Sequence, residues 1–146
     1  MDVNAKGTFL VCREVLRTWT QSSFKGVILN IGSVLAQHPQ SEYFATAAYA
    51  ASKGAIEAMT ISAAAYYAPV GIRINVIAPG LVLTPMSIRA QSNPVIREYM
   101  RRKQPLTEGM LSPDDIAKAA CFLLRRESSP ITGQVITVDG GWSISG

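Results

Sequence analysis

The chain has 146 residues, 48% apolar and 16% charged, with 14 basic side chains against 10 acidic ones and a formal net charge of +4. That is core-forming material for one domain, too apolar for a disordered or low-complexity chain and too short for two domains of ordinary size. The mild positive charge permits an anionic ligand. The only tight basic cluster is Arg101-Arg102-Lys103, with no aromatic residues interleaved along a basic stripe, so a nucleic-acid partner is not expected.

Cys12 and Cys121 are too few for a disulfide scaffold or a thiolate metal site, which suits a reducing compartment. The start Met1-Asp2-Val3-Asn4-Ala5-Lys6 does not read as a secretory signal. The longest helical apolar stretch, Ala55 to Ala68, contains Glu57 and stops at Pro69, too short to span a bilayer. A cytoplasmic globular chain is expected, with no membrane partner.

In chain order, residues from about Val3 to Thr20 carry Phe9, Val11, Val15, Leu16 and Trp19 at close to helical spacing. Gly26 then opens Val27-Ile28-Leu29-Asn30-Ile31, a β-branched run that reads as a buried parallel strand ended by Gly32-Ser33. A polar loop through His38-Pro39-Gln40 follows. An Ala-rich helix is expected from about Ala47 to Ala68, halted by Pro69-Val70-Gly71. Ile72 to Ile77 forms the second buried strand, closed by Ala78-Pro79-Gly80.

Between Leu83 and Leu111 the prolines at 85, 94 and 105 and Gly109 cut the chain into short helical pieces, as in a mobile flap rather than a core element. Ser112-Pro113-Asp114-Asp115 starts a helix reaching about Arg125: serine caps, proline fits the first turn, and the carboxylates face the positive end of the dipole. Gly133 to Val138 is the third strand, and Asp139-Gly140-Gly141-Trp142 follows it. Strands alternating with helices imply βαβ crossovers and a parallel sheet covered on both faces. Three strands make a small sheet for that architecture, which suggests that part of it is missing.

The chemistry-bearing pattern is Tyr49-Ala50-Ala51-Ser52-Lys53 at the start of the long helix. Residues four apart share a helix face, and an ammonium beside a phenol favours the phenolate. Ser33 lies at the carboxyl end of the preceding strand, where open α/β sheets place their ligands, and its hydroxyl could hold a carbonyl oxygen against Tyr49. His38 is the only histidine, which supports neither a Ser-His-Asp triad nor a histidine metal site.

In order and setting, Asn4, Ser33, Tyr49 and Lys53 resemble the catalytic tetrad of the short-chain dehydrogenase/reductase family. Pro79-Gly80 with Val82 and Thr84 looks like that family's nicotinamide-contacting loop, and Val135 to Gly141 resembles its last strand and C-terminal signature. The resemblance implies a hydride exchange between NAD or NADP and a carbonyl/alcohol pair, with Tyr49 as general acid/base. It implies that Ser33 holds the substrate oxygen, that Lys53 favours the Tyr49 phenolate and binds ribose hydroxyls, and that Asn4 positions a relay water. Val82 and Thr84 would hold the carboxamide end of the cofactor. Each residue also has a structural reading: Asn4 as a helix cap or kink, Pro79-Gly80 as a plain turn, Asn75 as a hydrogen-bonding strand residue.

Two departures from the family pattern stand out. Ser33 and Tyr49 lie sixteen residues apart, longer than the family's usual spacing, which an insertion around Gln37 to Phe44 would explain; Ser41, mid-loop, is the rival serine. No Gly-rich phosphate turn precedes Asn4, and the residue that selects NAD or NADP is absent with it. The expected architecture is therefore the C-terminal part of a Rossmann-like doubly wound α/β sheet, one partial domain over 1–146 with a substrate flap at 84–111.

The strand at 27–31 would then present a bare apolar edge, and an isolated monomer should be marginally stable. A homo-oligomer (dimer or tetramer) is expected through the helices near 3–20 and 47–68. A non-catalytic remnant that pairs with full-length relatives is the alternative. The substrate is not readable, although Met86, Ile88, Val95, Ile96, Tyr99 and Met100 suggest an apolar or mixed pocket.

Overall fold

A computed structural model describes residues 1–145. A five-residue π-helical turn, Asp2–Lys6, runs directly into helix α1, Gly7–Gln21. Strand β1 spans Val27–Ile31, helix α2 Ala47–Tyr67 and strand β2 Arg73–Pro79. Helices α3 (Ile88–Ser92) and α4 (Pro94–Lys103) fill the expected flap, followed by α5, Pro113–Leu124, and strand β3, Val135–Val138.

The strands form one parallel sheet in the order β1-β2-β3, with Ile31 opposite Ile77 and Pro79 opposite Val138. β2 is the central strand and is buried from Ile74 to Ala78 on both sides of its pleat, as the continuous apolar run required. α2 and α5 both pack against it. Strand pairing thus brings the carboxyl ends of β1 and β2 side by side, which sets the location of the site.

The buried stripe of α1 is Cys12 and Leu16 with Trp19 alongside, packed on Ile28, Ala64, Ile72 and Ile74. Phe9 and Val11, expected to join that stripe, are exposed instead at 49% and 65%. Their side of α1 faces outward, and Val11 lines an open groove of about 530 Å³ with Val3, Val15, Ile28 and Leu29. β1 is an edge strand with no partner on that side among the described residues, so the expected bare apolar edge is present.

The flap is less loose than its prolines suggest. Ala90, Ile96 and Met100 form a second core with Val34 and Trp142. Ile96 and Met100 are 1% and 0% exposed, so they are core residues here and not the pocket lining expected of them. At α5 the cap is built as the sequence implies: Asp115 Oδ2 accepts from the Ser112 backbone N–H and hydroxyl, both at 2.9 Å. Those bonds hold the Asp115 carboxyl below the usual range.

Candidate active site

The local geometry around Ser33 follows from the end of β1. Gly32 N–H donates to Ile77 O at 2.7 Å, the last backbone bond between the strands, and the chain then leaves the sheet. A Cβ at Gly32 would lie 2.8 Å from Val76 Cγ1, so only glycine passes this point without displacing the Val76 side chain of the central strand. Ser33, extended and buried, caps a short 3-10 turn, Val34–Ala36, its Oγ accepting from Leu35 N–H at 3.3 Å. Ser41, the rival serine, lies exposed in the loop that follows.

Tyr49 is in the first turn of α2 and Lys53 one turn on, as the four-residue spacing requires. Lys53 Nζ donates to Ile31 O at 2.8 Å and lies 5.8 Å from the centroid of the Tyr49 ring. The ammonium thereby lies between the end of β1 and the Tyr49 ring. Burial pushes its pKa below the usual lysine range. Both residues are half-buried, and the Tyr49 hydroxyl has no protein hydrogen-bond partner among the described residues.

Asn4 sits inside the π-helical turn rather than at a helix cap, and Nδ2 donates to Ser52 Oγ at 3.0 Å. Ser52 in turn donates to Tyr49 O at 2.7 Å. Asn4 is therefore tied to the turn of α2 that carries Tyr49 and Lys53, across 48 residues of sequence. π-turns of this kind recur at functional sites.

Pro79 and Gly80 end β2, and the loop beyond them is held from several sides. Leu111 N–H donates to Leu81 O and Leu83 N–H to Leu111 O, making a short parallel bridge opposite Val82. Ser87 Oγ donates to Val82 O at 2.6 Å and accepts from Thr84 N–H at 3.2 Å, while Gln91 Nε2 donates to Thr84 O at 2.7 Å. Val82 and Thr84 are thus presented by a fixed backbone. Asn75, read from sequence as structural, is fully buried and joins β2 to the segment before β3.

Two buried polar residues escaped the sequence reading. Glu57 lies two turns beyond Tyr49 on the Lys53 side of α2. Its Oε2 accepts from Gln37 Nε2 at 2.7 Å and its Oε1 has no partner among the described residues. The periodicity Tyr49, Lys53, Glu57 was the available signal. Gln104, 0% exposed, contacts the Leu81 backbone from the end of α4; a glutamine before a proline carries no local signal of that role. Among the described residues no cluster of His, Cys, Asp or Glu could hold a metal, and no helix is long and apolar enough to cross a membrane.

A family model described as enoyl-(acyl carrier protein) reductase matches residues 1–143, nearly the whole chain. The chain belongs to the short-chain dehydrogenase/reductase family. Among its relatives in that family, glucose 1-dehydrogenase of Gluconobacter oxydans is 37% identical over 146 residues, covering 100% of this chain and 53% of the relative. A solved 4-hydroxyisoleucine dehydrogenase complexed with NADH superposes with a TM-score of 0.92 at 32% identity, covering 99% of this chain and 58% of that one. A structure from Agrobacterium tumefaciens with bound NADP superposes with a TM-score of 0.90 at 28% identity, covering 97% and 56%. The chain spans about half the length of these relatives. The short-chain dehydrogenase/reductase fold is present here as its three-stranded part with flanking helices.

Proposed function

We propose that this chain carries the catalytic half of an NAD- or NADP-dependent oxidoreductase that interconverts a carbonyl and an alcohol. The observation that carries the reading is Lys53: one ammonium is bonded to the end of β1, two residues before Ser33 in the chain, and lies beside the Tyr49 ring. In this reading Tyr49 transfers a proton to or from the substrate oxygen, and the Lys53 ammonium stabilises the negative charge left on the phenol. Ser33 donates a hydrogen bond to the same oxygen. Asn4, through Ser52, holds the first turn of α2 in register and can order a water beside Lys53.

The donor set suits the nicotinamide end of a dinucleotide. Lys53 spends one N–H on Ile31 O, which leaves two for ribose hydroxyls. The loop Pro79–Thr84 offers backbone polar groups and the Val82 side chain on a braced frame. When bound, the dinucleotide supplies or accepts the hydride. The stretch 84–111 covers the substrate, with exposed Met86, Ile88 and Val95 and half-buried Tyr99 available to it. We place the protein in the cytoplasm.

A second reading starts from the exposed apolar faces of α1 and α2. Phe9, Leu10 and Val11 on α1 and Ile61 and Tyr66 on α2 are exposed apolar residues on the helices expected to pair with another copy. They suit either a homo-oligomer of the enzyme or a non-catalytic chain paired with a full-length relative. Titration of the purified chain with NADH and NADPH, following nicotinamide fluorescence and particle size together, separates the two. Saturable binding supports the catalytic half. Absence of binding from a well-folded, oligomeric chain assigns the chemistry to a longer parent protein and leaves this chain alone the pairing role.

A further inference from the structure

Gln104 is wholly buried, and its amide is committed to the backbone of other segments. Oε1 accepts from Leu81 N–H at 2.6 Å, and Nε2 donates to Leu81 O and to Gly109 O, both at 3.1 Å. The side chain therefore pairs with Leu81 as a neighbouring strand would, through a donor and an acceptor together. Its remaining N–H closes the turn at the end of the flap.

Two glycines make room for the Gln104 side chain, and a third lies at the turn it closes. A Cβ on Gly80 would lie 2.3 Å from Gln104 Oε1 and 3.0 Å from the Asp139 backbone. Gly140, at φ +61°, would bring a Cβ within 3.2 Å of Gln104 Cβ and 2.8 Å of Thr107 Oγ1. Gly109, at φ +112°, sits against the backbone of Arg101. Gly80 and Gly140 are the glycines of the two motifs read from the sequence, the loop after β2 and the turn after β3. Gln104 is the buried group that both of them accommodate.

We infer that Gln104 is a positioning residue for the nicotinamide-contacting loop, locking Leu81, and through it Val82, to the end of the substrate flap. It rests on the proposed dinucleotide reading and deepens it. The site then has a rigid floor formed jointly by the Gly80–Thr84 loop and the 104–111 segment, so any flap movement is confined to residues 85–103. Without the amide, Leu81 keeps only the Leu111 N–H on its carbonyl, and its own N–H loses its partner.

The test uses the whole chain and reduced nicotinamide mononucleotide, the half of the cofactor this loop would touch, followed by backbone-amide NMR. Gln104→Met keeps the volume and removes the polar pairing. Gln104→Asn keeps the amide but withdraws it by one carbon–carbon bond. Gly80→Ala pushes the amide aside from the opposite direction. Each should speed hydrogen exchange at the Leu81 amide by at least about tenfold and weaken reduced nicotinamide mononucleotide by about tenfold, while Val76 and Ile77 in β2 stay protected.

Faster exchange at Leu81 with unchanged affinity overturns the inference, because a purely structural glutamine would behave that way. Unchanged exchange in the variants overturns it at the level of the clamp itself. A wild-type chain that does not take up the mononucleotide overturns the dinucleotide reading and the inference with it. If Gln104→Met fails to give a dispersed spectrum, the same outcomes are read from Gln104→Asn and Gly80→Ala.

Discussion

Replacing Asn75 by leucine tests how β2 is joined to β3. Asn75 is 0% exposed; its Nδ2 donates to Ile131 O at 2.9 Å and its Oδ1 accepts from Gln134 N–H at 3.0 Å. The two groups suffer unequally in Asn75→Leu. Ile131 O keeps a second donor, Arg73 Nη1 at 3.1 Å, so it loses one bond of two. Gln134 N–H loses its only acceptor, although Gln134 itself is exposed and water can reach the freed group. One net hydrogen bond and one partly rehydrated orphan donor together cost about 2 kcal/mol, near the low end of the range for such changes.

For a chain of this size that loss lowers the melting temperature by roughly 4–8 °C. Urea unfolding followed by tryptophan fluorescence should show it as a lower midpoint at unchanged slope. Asn75→Asp retains the acceptor for Gln134 N–H but loses the donor and sets a buried carboxylate oxygen against Ile131 O, so it should be no milder. A loss under about 0.5 kcal/mol for Asn75→Leu would refute the reasoning, since it would mean that neither bond contributes to the β2–β3 register.

On the proposed oxidoreductase reading, Tyr49→Phe abolishes turnover while leaving cofactor affinity nearly intact; steady-state activity surviving the change would rule out Tyr49 as the proton donor. Burial works to raise the Asp139 carboxyl, but hydrogen bonds from Gly141 and Ser143 and the nearby His38 outweigh it and hold it below the usual range. A depressed folded-state pKa contributes stability above the unfolded value of about 3.9, and that contribution disappears as pH falls through the folded value. Asp139→Asn should therefore flatten the acid limb of a stability-against-pH curve below roughly pH 4, and an unchanged limb would refute it. Ile61→Glu, at a half-exposed site on α2, should shift the chain towards monomer in sedimentation without lowering its helix content; an unchanged oligomer distribution would exclude this face.

The α/β architecture was legible because its parts obey local rules. The apolar run at 27–31 read as a strand and is one, although at the sheet edge only Asn30 in it is buried and Ile31 is 46% exposed; the Ala-rich helix had Pro69 to stop it, and Ser112-Pro113 wrote its own cap. Tyr49 and Lys53 were legible because helical periodicity puts them on one face. α1 misled: its apolar spacing does not say which side faces the core, and Phe9 and Val11 turned outward beside the open edge of β1. The flap residues Ile96 and Met100 misled in the same way, because an apolar side chain reads alike whether it fills a core or lines a pocket.

By itself, then, the sequence determined the main helices and strands, the parallel character of the sheet and the residue types gathered near its carboxyl edge. Only the tertiary structure decided which long-range partners complete the site. Asn4 meets Ser52, Lys53 meets Ile31 O, and Gln104 meets Leu81 across 23 residues. Such bonds follow from how whole elements pack, and a polar side chain carries no periodic signature of the distant backbone group it will satisfy.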